Sequence, residues 1–397
     1  MEDHKLKNWK FHANTPKVIT FIVTKDCQLA CKYCYLVGKH QHGRMSIETA
    51  QKAVDYILDN RTFFNEKSVF FDFIGGEPFL EIDLIDKICD YIKIQLYKRQ
   101  HPWFDRYRFT FSSNGINYGS EKVQKFIEKN KNHIQIGITI DGTKRKHDLN
   151  RVYKNSERGS YEDVVKNIPL WLKQFPNANT KVTLSSEDLP YVCESVLHLF
   201  HLGIRQVFMN CVYEDVWKSG DDAIFEKQLV KLADAIIEQE LYNDYYCSVF
   251  DEHIGRPNRD NQNWCGSGKM LAIDSDGNFH PCNRFVDFSL RNKKPRLIGN
   301  VNTGIDPNKV RPFVLLDLKN QSPEKCLKCE ISKGCAWCQG ENYDSAETDT
   351  IYQRATAICM MHKARVRANN YYWNKLYMHI YNGGKAKSDL IKNRELC

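Results

Sequence analysis

At 397 residues, 42% of them hydrophobic, the chain is long enough for one large core and a second, smaller unit of a globular protein. No run of about 18 uninterrupted apolar residues occurs, and charges stand where a signal peptide has its apolar core, so a cytoplasmic protein with no membrane partner is expected. The net charge of +8, from 57 basic and 49 acidic residues, is spread without a dominant block. That argues against a nucleic-acid groove and suits an acidic peptide partner.

Apolar or β-branched runs at 18–24, 68–74, 107–112, 134–140, 181–185 and 205–211 predict strands. Amphipathic windows at 46–59, 81–98, 120–129, 161–174, 188–201 and 222–240 predict helices between and after them. Six such units predict an α/β fold, an incomplete parallel barrel with its crossover helices outside. Near Leu241 the alternation stops and turn-forming residues and cysteines take over. The expected division is a barrel over 1–240, a linker over 241–264, and a cysteine-rich domain with a C-terminal helix over 265–397.

Fifteen cysteines in a cytoplasmic chain read as metal or cluster ligands, or as reduced core residues. Cys27, Cys31 and Cys34 form a C-x3-C-x2-C run after the first predicted strand, where catalytic loops of β/α barrels sit. Three thiolates would leave one iron of a four-iron cluster open to a small molecule; a partial zinc knuckle is the competing reading. Gly75-Gly76-Glu77-Pro78 ends the second strand. Glycines there let the backbone approach a ligand or adopt positive φ, although Gly-Gly before Pro is also an ordinary turn. Ser113 and Asn114 follow the third strand, and Thr139-Ile140-Asp141-Gly142, with Arg151 beyond, ends the fourth.

In the second half, Cys265 and Cys282 precede Cys326-x2-Cys329-x5-Cys335-x2-Cys338 and then Cys359. The knuckles of a zinc ribbon usually stand about 15 to 20 residues apart, and five is too tight for that hairpin. Cys89, Cys193 and Cys211 fall at packing positions and Cys397 at the terminus. Tyr371-Tyr372-Trp373, on a helix spaced Val366, Asn370, Trp373, Tyr377, reads as domain packing.

Together these motifs resemble the radical S-adenosylmethionine (radical SAM) enzymes that carry a SPASM extension. The resemblance implies a partial (β/α)6 barrel in which Cys27, Cys31 and Cys34 hold a catalytic 4Fe-4S cluster and SAM chelates the open iron; Tyr33, before the third cysteine, fits the pattern. It implies that Gly75, Gly76, Glu77 and Pro78 receive the SAM amino group, that Thr139 and Asp141 stand at the ribose with Arg151 after them, and that Ser113 and Asn114 line the rim. It further implies an outer auxiliary cluster on Cys326, Cys329, Cys335 and Cys359 and an inner one on Cys265, Cys282 and Cys338, three clusters in all. Two departures stand out: the gap before Cys338 is two residues where three is usual, and only three inner ligands are clear, with Cys247 or a substrate thiolate as candidates for the fourth. In such enzymes an external flavodoxin- or ferredoxin-type donor reduces the cluster, and cleavage of SAM gives a radical that takes hydrogen from unactivated carbon.

The segments around the first cysteines, Gly75-Gly76-Glu77-Pro78 and Gly334-Cys335-Ala336-Trp337-Cys338 are similar to peptide maturases of CXXX-repeat precursors, which make thioether-bridged ranthipeptides of the freyrasin type. That similarity implies a Cys-containing precursor peptide and crosslinks from Cys sulfur to a carbon of Asp or Glu. Anaerobic sulfatase-maturating enzymes, which make formylglycine, are the alternative. That family typically has Asp directly after the position of Cys282, as a proposed base, where this chain has Asn283, which cannot accept a proton as a carboxylate does. A noncatalytic iron–sulfur relay would leave the Gly-Gly-Glu-Pro and Asp-Gly segments without a purpose. Only 26 residues precede Cys27, too few for a leader-binding domain, so the leader is expected on the barrel, the cysteine-rich unit or a separate partner.

Overall fold

The computed structural model describes residues 15–41, 43–257, 261 and 265–386; Cys397 lies outside them. The six predicted strands are β1 Lys17–Thr24, β2 Val69–Gly75, β3 Tyr107–Ser113, β4 Ile134–Ile138, β5 Asn179–Leu184 and β6 Gln206–Cys211. β1 is buried at seven of eight positions, as a parallel strand covered on both faces must be. In β2, Val69, Phe71 and Phe73 are buried toward the helices, while Phe70, Asp72 and Ile74 face the barrel interior. Helix α1, Ile47–Asp59, begins where Ser46 accepts from the Thr49 amide, and it buries Ala50, Ala53, Val54, Ile57 and Leu58 along one stripe.

β1 to β4 run parallel in one sheet, and β5 and β6 belong to another. The wall between β4 and β5 is closed by a side chain instead of a ladder: the buried Thr180 hydroxyl donates to Ile138 O at 2.8 Å and accepts from Ile140 N at 3.1 Å. The six strands thus form a partial barrel, with a seam that their sequences do not show.

Two features bind the halves together. The expected linker supplies β7, Tyr246–Cys247, an edge strand pairing with β6 through Gln206↔Tyr246 and Val207↔Cys247. Beyond it, β8 Leu271–Ile273 pairs parallel with β1, and β9 Asn278–His280, β10 Gly299–Asn300 and β11 Gly304–Ile305 extend the sheet antiparallel, in the order β11-β10-β9-β8-β1-β2-β3-β4. The cysteine-rich region therefore shares a sheet with the barrel.

Helices α2 Ile82–Lys98 and α3 Glu121–Asn130 follow β2 and β3, and α4 Lys144–Asn150 follows β4. The single helix expected over 161–174 is two, α5 Tyr161–Val165 and α6 Ile168–Gln174, because Pro169 lacks the amide that an uninterrupted helix needs and suits a helix start. Pro190 likewise holds 186–191 as a 3-10 turn, so α7 starts only at Val192 and runs to His201. α8 is Asp221–Glu238.

In the cysteine-rich region, α9 Pro307–Leu315, α10 Leu318–Gln321, α11 Glu324–Leu327 and α12 Gln339–Asp344 lead to the long α13, Cys359–Tyr381. α13 lies on α8, with Arg367 Nε 2.7 Å from Glu226 and Lys375 Nζ 2.6 Å from Asp234. Its buried residues include Met361, Ala364, Ala368, Tyr372 and Leu376; of the expected face, Val366 and Trp373 are buried, whereas Asn370 and Tyr377 are exposed. Among the described residues no helix is long and apolar enough to cross a membrane.

Candidate active site

Where β1 ends, its register against β2 shifts between Ile22 and Thr24 and the chain turns out into the cysteine loop. Thr24 Oγ1 accepts from Asp26 N at 3.2 Å and Asp26 Oδ1 from Cys27 N at 2.8 Å, which fixes the turn. The loop is strapped to the segment after α4: Ala30 N donates to Val152 O at 2.8 Å, Lys32 N to Asn150 O at 3.0 Å, and Lys154 N to Gln28 O at 2.9 Å. Burial, with Glu77 and Cys31 nearby, pushes the Cys27 thiol up to about 12. Burial also raises Cys31, against the charges of Arg151 and Lys39, with Cys34 adding to the rise. The three thiols are thus electrostatic neighbours.

The two glycines are required by close packing and not by a left-handed backbone. Neither has positive φ. A Cβ on Gly75 would stand 2.3 Å from Thr24 O, and one on Gly76 would stand 2.1 Å from Asp26 O and 2.9 Å from Cys27 Cβ. They admit the cysteine loop's own backbone, bonded there through Gly76 N to Thr24 O and Glu77 N to Asp26 O. Pro78 opens a 3-10 turn over Pro78–Glu81, in which Pro78 and Phe79 are buried.

Glu77 is 1% exposed. Its Oε1 accepts from the Ser113 hydroxyl at 2.8 Å and Phe79 N at 3.1 Å, and its Oε2 from Asn114 N at 2.7 Å, which leaves Oε2 room for another donor. Burial raises this carboxyl, opposed by those bonds and by Arg151. Asn114 Nδ2 reaches Gln28 at 3.0 Å and lies 3.9 Å from Cys27 Sγ. The half-buried Thr139 donates its amide to Ser113 O at 3.0 Å.

Asp141 is fully buried, accepts from the Tyr33 hydroxyl, and takes Thr183 N at 3.1 Å. Burial alone would raise its carboxyl, but Lys146 and Arg151 outweigh it and hold the group below the usual range. Arg151 Nη1 donates to the same Tyr33 hydroxyl at 3.0 Å, while its Nε is buried without a partner. Tyr33, Asp141 and Arg151 therefore meet beside the cysteine loop, with the Arg151 charge felt at Glu77, and a carboxylate oxygen and a guanidinium N–H are still available. That donor set fits an amino-acid ligand carrying both an ammonium and a carboxylate.

The other cysteines fall into two groups. Cys265 is raised by burial and then by Cys338, and Cys282 by burial and then by Cys265 and Cys338. Gln339 N donates to Cys265 Sγ at 3.3 Å. Burial raises Cys326 and pushes Cys335 up to about 11; in both, Arg354 is the largest opposing charge, and Cys326, Cys329, Cys335 and Cys359 act on one another. Cys247 joins neither group: its Sγ lies 3.3 Å from Met209 Sδ at β6 and β7, and burial pushes its thiol up to about 12 against the Val249 amide and the Arg365 charge. Cys89 is buried, and Cys193 and Cys211 half-buried, in packing positions. Among the described residues no three His, Cys, Asp or Glu side chains stand close enough together to hold a single metal ion. A four-iron cluster makes a different demand, because each thiolate binds a separate iron.

Of the residues that join these centres, sequence reading took Asn283 only as a missing base and passed over Tyr35, Arg284, Glu214 and Glu341. Asn283 Nδ2 donates to the Tyr35 hydroxyl at 2.7 Å, and the Arg284 guanidinium lies 4.6 Å from the Tyr35 ring centroid. Arg284 also bonds Glu214 at 3.0 Å and Glu341 at 2.9 Å, tying the loop after β6 to α12. The available signal was adjacency, since Tyr35 follows Cys34 and Asn283-Arg284 follows Cys282. A cavity of about 390 Å³ opens alongside, lined by Tyr33, Cys34, Asn150, Ser185, Glu214 and Arg291 among others.

Residues 21–185 match the Radical SAM superfamily. An uncharacterized protein of Methanocaldococcus jannaschii is 26% identical over 73% of this chain and 89% of its own length. A cysteine-type anaerobic sulfatase-maturating enzyme of Clostridium perfringens is 24% identical over 81% of this chain and 89% of its own. Among solved structures, native anSMEcpe with bound AdoMet superposes with a TM-score of 0.70 at 21% identity, over 92% of this chain and all of that one. Streptococcus suis SuiB bound to precursor peptide SuiA gives 0.60 at 14% identity, over 89% and 78%. Residues 21–185 thus carry the likeness to the Radical SAM superfamily, and the solved structures share the fold described above across most of the chain.

Proposed function

We propose that this chain uses SAM-derived radical chemistry to modify a cysteine-containing segment of a peptide or protein. The observation that carries the reading is the buried meeting of Tyr33, Asp141 and Arg151, with the Arg151 charge felt at Glu77, at a loop bearing three neighbouring thiols. Bound there, a 4Fe-4S cluster with SAM supplies one-electron cleavage of a sulfonium and a carbon radical that abstracts hydrogen. Cys27, Cys31 and Cys34 would hold the cluster. Glu77 Oε2 would accept from the amino group, Arg151 Nε would donate to the carboxylate, and Thr139, Asp141, Ser113 and Asn114 would line the remaining surface. Glu77 and Asp141 are buried, a setting that would help keep water from the reaction.

Cys326, Cys329, Cys335 and Cys359 form a full set for an outer cluster, and Cys265, Cys282 and Cys338 an incomplete set for an inner one. With Cys247 turned toward Met209, the open position suits a substrate thiolate. The protein would work in the cytoplasm, with a flavodoxin- or ferredoxin-type donor.

Two finer reactions fit. Formylglycine formation is supported by the comparisons, since sulfatase-maturating relatives align over most of both chains. Thioether formation between Cys sulfur and an acceptor carbon, as in ranthipeptides, is supported by Asn283, whose amide donates to Tyr35 and cannot serve as a carboxylate base. Anaerobic incubation with SAM and Cys-containing peptides separates them. Release of 5′-deoxyadenosine marks the enzyme, and its absence from fully loaded protein overturns the reading. A product lighter by two hydrogens that survives reductant and resists alkylation is a thioether; loss of sulfur with hydrazine reactivity is an aldehyde.

A further inference from the structure

Arg354 makes two contacts at the outer cysteines. Its Nη2 donates to Cys335 Sγ at 3.1 Å, and its guanidinium carbon lies 4.4 Å from the Trp337 ring centroid. Trp337 is one of the two residues between Cys335 and Cys338, so the stacked pair stands where the outer and inner groups meet. The indole N–H is buried without a partner, and the ring is therefore used through its face. A planar guanidinium can stack on an indole and donate in its own plane at once, which an ammonium cannot do. A cavity of about 840 Å³ reaches Cys265, Cys335, Trp337 and Arg354, so there is room beside both groups for more than protein atoms.

We propose that Arg354 is a positioning residue that raises the reduction potential of a cluster held by Cys326, Cys329, Cys335 and Cys359. The proposal rests on the ligand set put forward under Proposed function. Reduction adds one negative charge, and a fixed cation with an N–H bonded to a ligand sulfur stabilises the reduced form more than the oxidised one. Trp337 keeps the charge in place. The outer centre would be easier to reduce than it would be with thiolates alone.

The test uses the full chain, reconstituted anaerobically, with Cys27, Cys31 and Cys34 changed to Ala so that only auxiliary signals remain in an EPR-monitored redox titration. Arg354→Gln should move one midpoint to a more negative value and leave the other in place, with iron content unchanged. Arg354→Lys, which keeps the charge and loses the stacked geometry, should give a smaller shift in the same direction. Unmoved midpoints with retained iron would overturn the proposal. If the Gln variant loses iron, the Lys variant decides: a midpoint below that of the parent supports the role, and an unchanged one overturns it. A parent protein with iron for only one auxiliary cluster would instead overturn the ligand assignment, and the proposal with it.

Discussion

The first cysteine loop and the outer cysteine group hold similar thiols in opposite ways. Cys27 is buried and Cys31 and Cys34 are half-buried, but their loop is strapped by backbone bonds to 150–154, and buried carboxylates and a guanidinium stand behind it. Cys326, Cys329, Cys335 and Cys359 are all only half-buried, and the short turn α11 that carries the first of them buries no residue. On the proposed reading, the first site must orient an organic cofactor and exclude water, so its polar groups stand in place in advance, whereas a site that only ligates a cluster would leave much of its order to the metal.

The largest effect should come from replacing Cys27, Cys31 and Cys34 together with Ala: SAM cleavage should vanish while auxiliary iron stays, measured as 5′-deoxyadenosine and iron per chain. Persistent cleavage would break the comparison at its root. Removing iron and sulfide should then separate the regions, with hydrogen exchange rising steeply around 323–359 and little in β1 to β3; equal loosening of both would show that the barrel site also depends on its metal. Gly76→Ala places a methyl 2.1 Å from a backbone oxygen, so about 1 to 3 kcal/mol of stability should be lost along with SAM affinity, read by denaturant unfolding. Glu77→Gln exchanges a charge-assisted partner for an amide and should weaken SAM binding by roughly 1.5 to 3 kcal/mol, checked by calorimetry. The smallest change belongs to Asn283→Asp, which removes one donor to Tyr35 and should alter stability by about 1 kcal/mol. An aldehyde product appearing only in that variant would sharpen the choice between the two reactions.

The barrel strands were legible because each is a short apolar or β-branched run, and the starts of α1, α2 and α3 because of their stripes. Pro169 and Pro190 were visible in the sequence, yet the apolar periodicity runs through both and hid the interruptions. The seam at Thr180 was not legible, since a strand threonine gives no sign that its hydroxyl will replace a ladder. Nor was the pairing of β8 with β1, which joins segments far apart in the chain and depends on three residues. At the site, cysteine spacing marked the two cysteine-rich segments, and the family resemblance supplied the grouping of their thiols. The joint made by Arg284 with Glu214 and Glu341 was not legible, because its members come from three separate segments and carry no motif of their own.

The pairing of Ile19 with Leu271 also sets a timetable for the ribosome. β1 is among the first described segments to be made, yet the strand that covers one of its edges follows about 250 residues later. At 5 to 20 residues per second, that edge waits roughly 10 to 50 s with its amides and carbonyls unpaired. An open edge of alternating Ile and Phe is a template for another chain, so the nascent barrel is most exposed to misassembly before its cysteine-rich half emerges. Slowing translation between 211 and 271 should lower the soluble yield, whereas the same delay after 305 should not.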